Sequence, residues 1–201
     1  MLREKKNIVH RYEGNPILTA ADFPGDIVSV FNAGAIKKDG KYTLVCRCED
    51  STFARYMWVA ESTDGIHFTP RPAPLELPVG NPVFDAYVDA TKSYWDPRIV
   101  EIEGQLYITH AADVTNGKTC QIGLFKIDQN LEKLEWMGLI SEPDNRNGVL
   151  FPEKIGGKFW RLDRPNDNSF DIWAAASPDL EHWGHYRRVL AKESIGWGEK
   201  K

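Results

Sequence analysis

Asp96 lies between the aromatic pair Tyr94-Trp95 and Pro97-Arg98-Ile99, at the head of a strand-like run. Proline cannot donate to a sheet ladder and biases the preceding residue toward extended geometry, so the sequence predicts an Asp96 carboxylate held at a strand mouth. Aromatic neighbours offer apolar faces to the C–H face of a pyranose and desolvate an acid, the setting in which a carboxyl works as a proton donor near neutral pH. An Asp before Pro is equally an ordinary turn residue.

Other residues able to do chemistry precede or enter glycine turns. Phe31-Asn32-Ala33-Gly34-Ala35, Tyr94 to Arg98, and Asn145-Arg146-Asn147-Gly148 running to Lys154 each mix small, polar and charged residues with aromatics. Each stretch leads toward one of three similar hairpins, at Asp39-Gly40-Lys41-Tyr42, Glu103-Gly104-Gln105-Leu106 and Gly156-Gly157-Lys158-Phe159. Downstream come Ser62-Thr63-Asp64-Gly65-Ile66-His67-Phe68 and Ser177-Pro178-Asp179-Leu180-Glu181-His182-Trp183, with a degraded middle copy ending at Trp136. A unit made of a hairpin, a third strand, an Asp turn and a closing aromatic is the sequence pattern of a four-stranded propeller blade. A β-sandwich with similar hairpins is the alternative. The chain is therefore expected to be all-β, with residues 1–26 an irregular lead-in and residues 27–201 about three blades of one incomplete propeller domain.

The 201 residues are 42% hydrophobic and 27% charged, with a net charge of −4. That balance excludes a generic polyanion-binding surface, so any anion site must be local. No apolar run reaches the roughly 18 residues of a membrane span, and no signal peptide is visible at the start, which leads to the expectation of a cytoplasmic protein binding neither membrane nor nucleic acid. Cys46, Cys48 and Cys120 form no disulfide framework. The pair His182 and His185 reads as turn surface, so no metal is expected.

In collinear order, Phe31 to Ala35, Leu44-Val45-Cys46-Arg47 with Glu49, Trp95 to Ile99, Asn145 to Ile155, Leu162-Asp163-Arg164-Pro165, and Ser177 to Leu180 with His182-Trp183 resemble glycoside hydrolase family 130. This family comprises β-mannoside phosphorylases and related mannosidases on a five-bladed propeller. The resemblance implies that Asp96 is the proton donor of an inverting reaction, acting through a sugar hydroxyl while inorganic phosphate attacks the anomeric carbon and α-mannose 1-phosphate leaves. It implies Arg47, Arg146 and Lys154 as phosphate ligands, and Asn32, Tyr94, Arg98, Asn147, Asp163 and Arg164 as contacts to the mannoside. No cofactor is implied beyond phosphate as co-substrate.

The resemblance also predicts that about two blades, with further phosphate ligands, are lacking. The isolated chain is then expected to be a weak enzyme, or to have its open edge covered by a second chain or by a homo-oligomer. Two other functions stay open. One is a β-mannosidase using water, for which Glu49, Glu153 or Asp163 could serve as base; the other is a non-catalytic carbohydrate-binding or interaction fragment.

Overall fold

The computed structural model describes residues 9–87, 94–114, 119–166 and 170–191, with Val83, Tyr87 and Tyr94 described by backbone only. Three four-stranded antiparallel sheets follow one another along the chain. The first contains β1 (Ile27–Lys38), β2 (Lys41–Asp50), β3 (Arg55–Ser62) and β4 (Thr69–Pro70). The second contains β5 (Tyr94–Ile102), β6 (Gln105–Asp113), β7 (Cys120–Ile127) and β8 (Leu134–Leu139). The third contains β9 (Asn145–Leu150), β10 (Phe159–Pro165), β11 (Ile172–Ser177) and β12 (Gly184–Leu190). In every sheet the spatial order is the sequence order, which makes each a meander. A sandwich would distribute consecutive strands between two sheets, so that arrangement is excluded. A short helix, α1 (Pro82–Tyr87), interrupts the link between the first two sheets.

The sheets stack face to face with β1 against β5 and β5 against β9, so the first strand of each blade faces the common axis. One apolar layer joins Val45, Met57 and Val59 of the first blade to Ile99, Leu106, Ile108 and Phe125 of the second, with Phe84 of α1 inserted. A second layer joins Ile122 and Leu124 to Leu150 and Leu180. The outer face of the first blade is covered by the lead-in, where Phe23 meets Trp58 edge-on at 5.7 Å beside Cys46 and Cys48. With both faces covered, β2 and β6 bury nearly continuous runs, which explains why they lack the alternation of a half-exposed strand.

The repeated turn is one hydrogen-bonded device used twice. Ser62 Oγ accepts from the amides of Asp64 and Gly65, Asp64 Oδ1 accepts from those of Ile66 and His67, and His67 Nδ1 meets Asp64 Oδ2 at 2.7 Å. Ser177, Asp179 and His182 repeat this pattern, with Nδ1 to Oδ2 at 2.9 Å. In the middle blade a longer turn uses Asp128 Oδ1 to accept from Glu132 and Lys133. His182 and His185 do not converge: His185 Nε2 lies 3.1 Å from Lys158 Nζ.

Candidate active site

Each innermost strand carries a β-bulge at a corresponding place, marked by register shifts between Phe31 and Gly34, between Trp95 and Arg98, and opposite Leu162 and Arg164. A bulge leaves a residue outside the ladder and re-aims its side chain. The residues so placed are Asn32, Asp96 and Asn147, with φ of 49°, 53° and 62°. Asp96 thus departs from the extended geometry expected before Pro97, because the bulge sets its backbone in the left-handed region. Such conformations cost on the order of 1–3 kcal/mol and persist where surrounding structure fixes them.

Two donors from the first blade fix Asp96. Asn32 Nδ2 donates to Oδ1 at 2.8 Å and Arg47 Nη1 donates to the same oxygen at 3.1 Å. Arg47 also donates from Nη2 to Glu49 Oε1 at 2.5 Å, and its guanidinium lies 4.2 Å from the ring of Phe31 and 4.7 Å from that of Trp95. Arg55 donates from Nε to the same Glu49 oxygen at 3.1 Å and stacks on Trp95 at 3.9 Å. Trp95 Nε1 in turn donates to Asp113 Oδ2 at 3.2 Å. Trp95 is therefore occupied by two guanidiniums and does not offer the open sugar platform the sequence suggested. The side chain of Tyr94 lies outside the described residues.

Glu49 and Asp113 respond oppositely to this environment. Burial opposes ionisation of Glu49, but hydrogen bonds from Arg47 and Arg55 and their charges outweigh it, so its carboxyl lies below the usual range. At Asp113 burial dominates and lifts the carboxyl above that range despite Arg55, the Trp95 hydrogen bond, Arg146 and Arg47. Asp113 and Arg55 were not singled out from sequence. The repeat could have found the first, since Glu49, Asp113 and Asn166 stand at equal distances beyond Gly40, Gly104 and Gly157.

In the third blade, Arg146 and Arg164 are direct cross-strand partners on β9 and β10. Burial and the charge of Arg146 both depress the Arg164 guanidinium below its ordinary value. With its amide oxygen turned toward Arg164, Asn147 accepts from Nη2 and Nε, both at 3.1 Å. Among the described residues, the Nε of Arg146 is buried with no hydrogen-bond partner. Like charges directly opposed on a sheet are destabilising by themselves, so this pair forms a positive focus suited to an anion.

Three of the remaining sequence candidates are placed otherwise than expected. Arg98 donates to backbone, at 2.9 Å to the Pro97 carbonyl and 3.5 Å to that of Asn32, which suits it to hold the bulges in register. Lys154 is not brought to the cluster: its ammonium pairs with Glu103 at 2.8 Å and lies over the ring of Phe159. Glu103 follows the far end of β5 from Asp96, about 20 Å along the strand. Asp163 is buried against Arg161, with Nε donating to Oδ2 at 2.9 Å, and Arg161 also donates from Nη1 to the Ile140 carbonyl of the second blade. Burial raises the Asp163 carboxyl, opposed by Arg161. Both side chains are core groups, the guanidinium of Arg161 being fully buried. Sequence reading passed over Arg161 because a charged residue in a strand ordinarily faces solvent.

A cleft of about 570 Å³ opens at the opposite end of the strands, beside Lys38, Arg71 and Gln129. Lys38 is committed to Glu101, and Arg71 to Glu61 and to the carbonyls of Asn130 and Leu131. Among the described residues no helix is long and apolar enough to cross a membrane.

A partial β-propeller with an acid and arginines gathered at one end of its axis is the class of protein that the fold and site define. The chain belongs to glycoside hydrolase family 130, whose family model, described as beta-1,4-mannooligosaccharide phosphorylase, matches residues 3–201. It is 29% identical over 98% of its length to the beta-1,4-mannooligosaccharide phosphorylase of Ruminococcus albus, covering 59% of that protein. It is 26% identical over 90% of its length to the beta-1,2-mannobiose phosphorylase of Listeria innocua, covering 66% of that protein. A solved structure of the Listeria innocua beta-1,2-mannobiose phosphorylase, in complex with beta-1,2-mannobiose, superposes with a TM-score of 0.75 at 25% identity, over 90% of this chain and 66% of that one. The chain thus spans about three fifths of the length of these relatives.

Proposed function

We propose that this chain supplies the acid side, and part of the anion side, of a β-mannoside phosphorylase. Asp96 is the proton donor. Both of its donors fall on Oδ1, which orients the carboxyl and directs Oδ2 toward substrate. Proton delivery through a sugar hydroxyl activates the bond to the leaving group, while phosphate enters at the anomeric carbon from the opposite face and leaves as α-mannose 1-phosphate. An inverting hydrolase would instead need a second carboxylate to activate water.

The single observation that carries phosphorolysis is the opposed pair Arg146 and Arg164, in a chain whose net charge is negative. Phosphate bound there would satisfy the buried Nε of Arg146 and relieve the repulsion between the two guanidiniums. Arg47, already bonded to Asp96 and Glu49, acts in this reading chiefly by orienting the acid. Asn32 and Asn147 stand at the bulges where sugar hydroxyls or phosphate oxygens would be met. The relatives named for activity on mannobiose and manno-oligosaccharides support the substrate class. The three buried, unbridged thiols suit a reducing compartment, in keeping with a cytoplasmic enzyme.

The test is release of mannose 1-phosphate from β-linked mannobiose and manno-oligosaccharides as phosphate is varied. Product rising with phosphate supports the reading. Mannose released at a rate indifferent to phosphate would replace it with hydrolysis, for which Glu49 and Asp113, both beside Arg55, are the second carboxylates at hand. No turnover, together with sugar binding unaffected by phosphate, would leave a carbohydrate-binding fragment.

A further inference from the structure

We infer that Phe53 is a platform for a hexose ring of the substrate chain, at a subsite beyond the ring whose bond is cut; the inference rests on the mannoside reading above. With Trp95 covered by Arg47 and Arg55, the apolar face needed by a longer sugar must come from another aromatic. Phe53 tips the hairpin between β2 and β3 and is 72% exposed, more than any other large apolar side chain among the described residues.

Its backbone is in the left-handed region, with φ of 65°, which glycine or asparagine adopts readily and a bulky residue does not. The turn is closed without help from the ring. Asp50 Oδ1 accepts from the amide of Thr52 at 2.8 Å, its hydroxyl at 2.7 Å and the amide of Ala54 at 3.0 Å, while Oδ2 accepts from the Tyr56 hydroxyl at 2.8 Å. The Phe53 amide donates to the Asp50 carbonyl at 3.0 Å, and Ser51 Oγ donates to Asp26 in the lead-in. A rigid turn therefore holds a strained, solvent-facing benzyl ring that contributes little to closing it.

Position gives the ring its role. The hairpin closes the end of β2 and β3 that carries Arg47, Glu49 and Arg55. Phe53 stands at the tip of the turn beyond the Glu49–Arg55 pair, outside the cluster that holds Asp96, a position suited to a ring further along an oligosaccharide. The third blade repeats the arrangement: Phe170, at the hairpin between β10 and β11, has φ of 54° and is 37% exposed, with the Arg164 guanidinium 5.3 Å from its ring. Two left-handed phenylalanines thus stand on the site-facing hairpins of the first and third blades, one of them beside the proposed anion site.

Calorimetric titration of the 201-residue chain with β-1,4- and β-1,2-linked mannose oligomers of two to five units separates the possibilities. Affinity should rise roughly three- to tenfold from the disaccharide to the longer oligomers, the gain expected of one aromatic stack. Phe53→Ala should abolish that rise while leaving the disaccharide unchanged, and Phe53→Tyr should keep it. Phe53→Asn, which suits the left-handed turn, should match or exceed the wild-type melting temperature yet lose the rise, so that loss of affinity is not loss of fold. A length dependence that survives both Phe53→Ala and Phe53→Asn overturns the subsite alone, as does equal affinity for all lengths in the wild type. Failure of every oligomer to bind overturns the mannoside reading, and the subsite with it.

Discussion

Asn32 Nδ2 donates to Asp96 Oδ1 across the junction of two blades, so the proposed acid is oriented by a residue sixty-four positions earlier in the chain. Beneath that bond the blades nearly touch. A Cβ at Gly34 would lie 2.8 Å from the Ile99 nitrogen and 2.8 Å from the Pro97 carbonyl oxygen, both rigid backbone. Gly34→Ala must therefore part β1 from β5. The expected cost is roughly 1–3 kcal/mol of stability, and turnover should fall further than unfolding alone explains, because a small shift misplaces both the acid and its donor. Chemical denaturation together with turnover measured well below the melting temperature checks this; unchanged values in both would show that the junction yields freely.

Asp96→Asn removes the proton and keeps the shape. Turnover should drop by about 10²–10⁴-fold, the usual contribution of a positioned acid, while phosphate binding and melting temperature stay close to wild type. The bulge conformation favours this outcome, since asparagine tolerates the left-handed region as well as aspartate does. Steady-state kinetics beside a melting curve is the check, and full activity in the variant would remove Asp96 from the mechanism.

Arg146→Ala should abolish most of the stabilisation by phosphate. Ligand that binds only the folded state raises stability by mass action, about 2.7 kcal/mol at a hundred times its dissociation constant. Melting temperature followed over a phosphate series should rise in the wild type and stay nearly flat in the variant. Lys154→Ala provides the contrast: with its ammonium on Glu103, it should leave the phosphate response intact. Equal loss in both variants would count against assigning the anion to the arginine pair.

His110 makes a prediction about pH. It is fully enclosed, stacked on Phe125 at 4.9 Å with its Nδ1 toward the Ala111 carbonyl, and burial pushes its pKa down to about 4 from an ordinary 6.5. Between those values the unfolded chain binds a proton that the folded one refuses. Stability therefore decreases as pH falls through 6.5 toward 4, by on the order of 3 kcal/mol from this group, and gains nothing from it above 6.5. Denaturation midpoints across pH 4 to 7 should show the slope, and His110→Phe should flatten it. A wild-type slope retained in His110→Phe would place the proton elsewhere.

The blade repeat was legible because each hairpin is local: glycine turns, alternating strands and the Ser-Asp-His turns write themselves into a few consecutive residues. Asp96, Asn32, Arg146 and Asn147 could be picked out because they precede those turns. What sequence could not show was where a long side chain ends. Lys154 and Arg146 are both cations near the third inner strand, yet one reaches Glu103 and the other faces Arg164. Asp163 and Arg164 are neighbours on opposite faces of β10 by ordinary strand alternation, one bonded to buried Arg161 and the other to Asn147. Trp95 has the local context of a sugar platform, but two arginines from another blade, remote in sequence, cover its ring.

The matching bulges relate three backbone positions by rotation about the axis. Asn, Asp and Asn occupy equivalent backbone seats in three successive blades, and a single amide-to-carboxyl difference at one seat decides which blade carries the acid. Exchanging Asn32 and Asp96 would keep composition and charge while moving the acid one blade around the axis. In such an architecture the position of the acid is an angular coordinate that point substitutions can step.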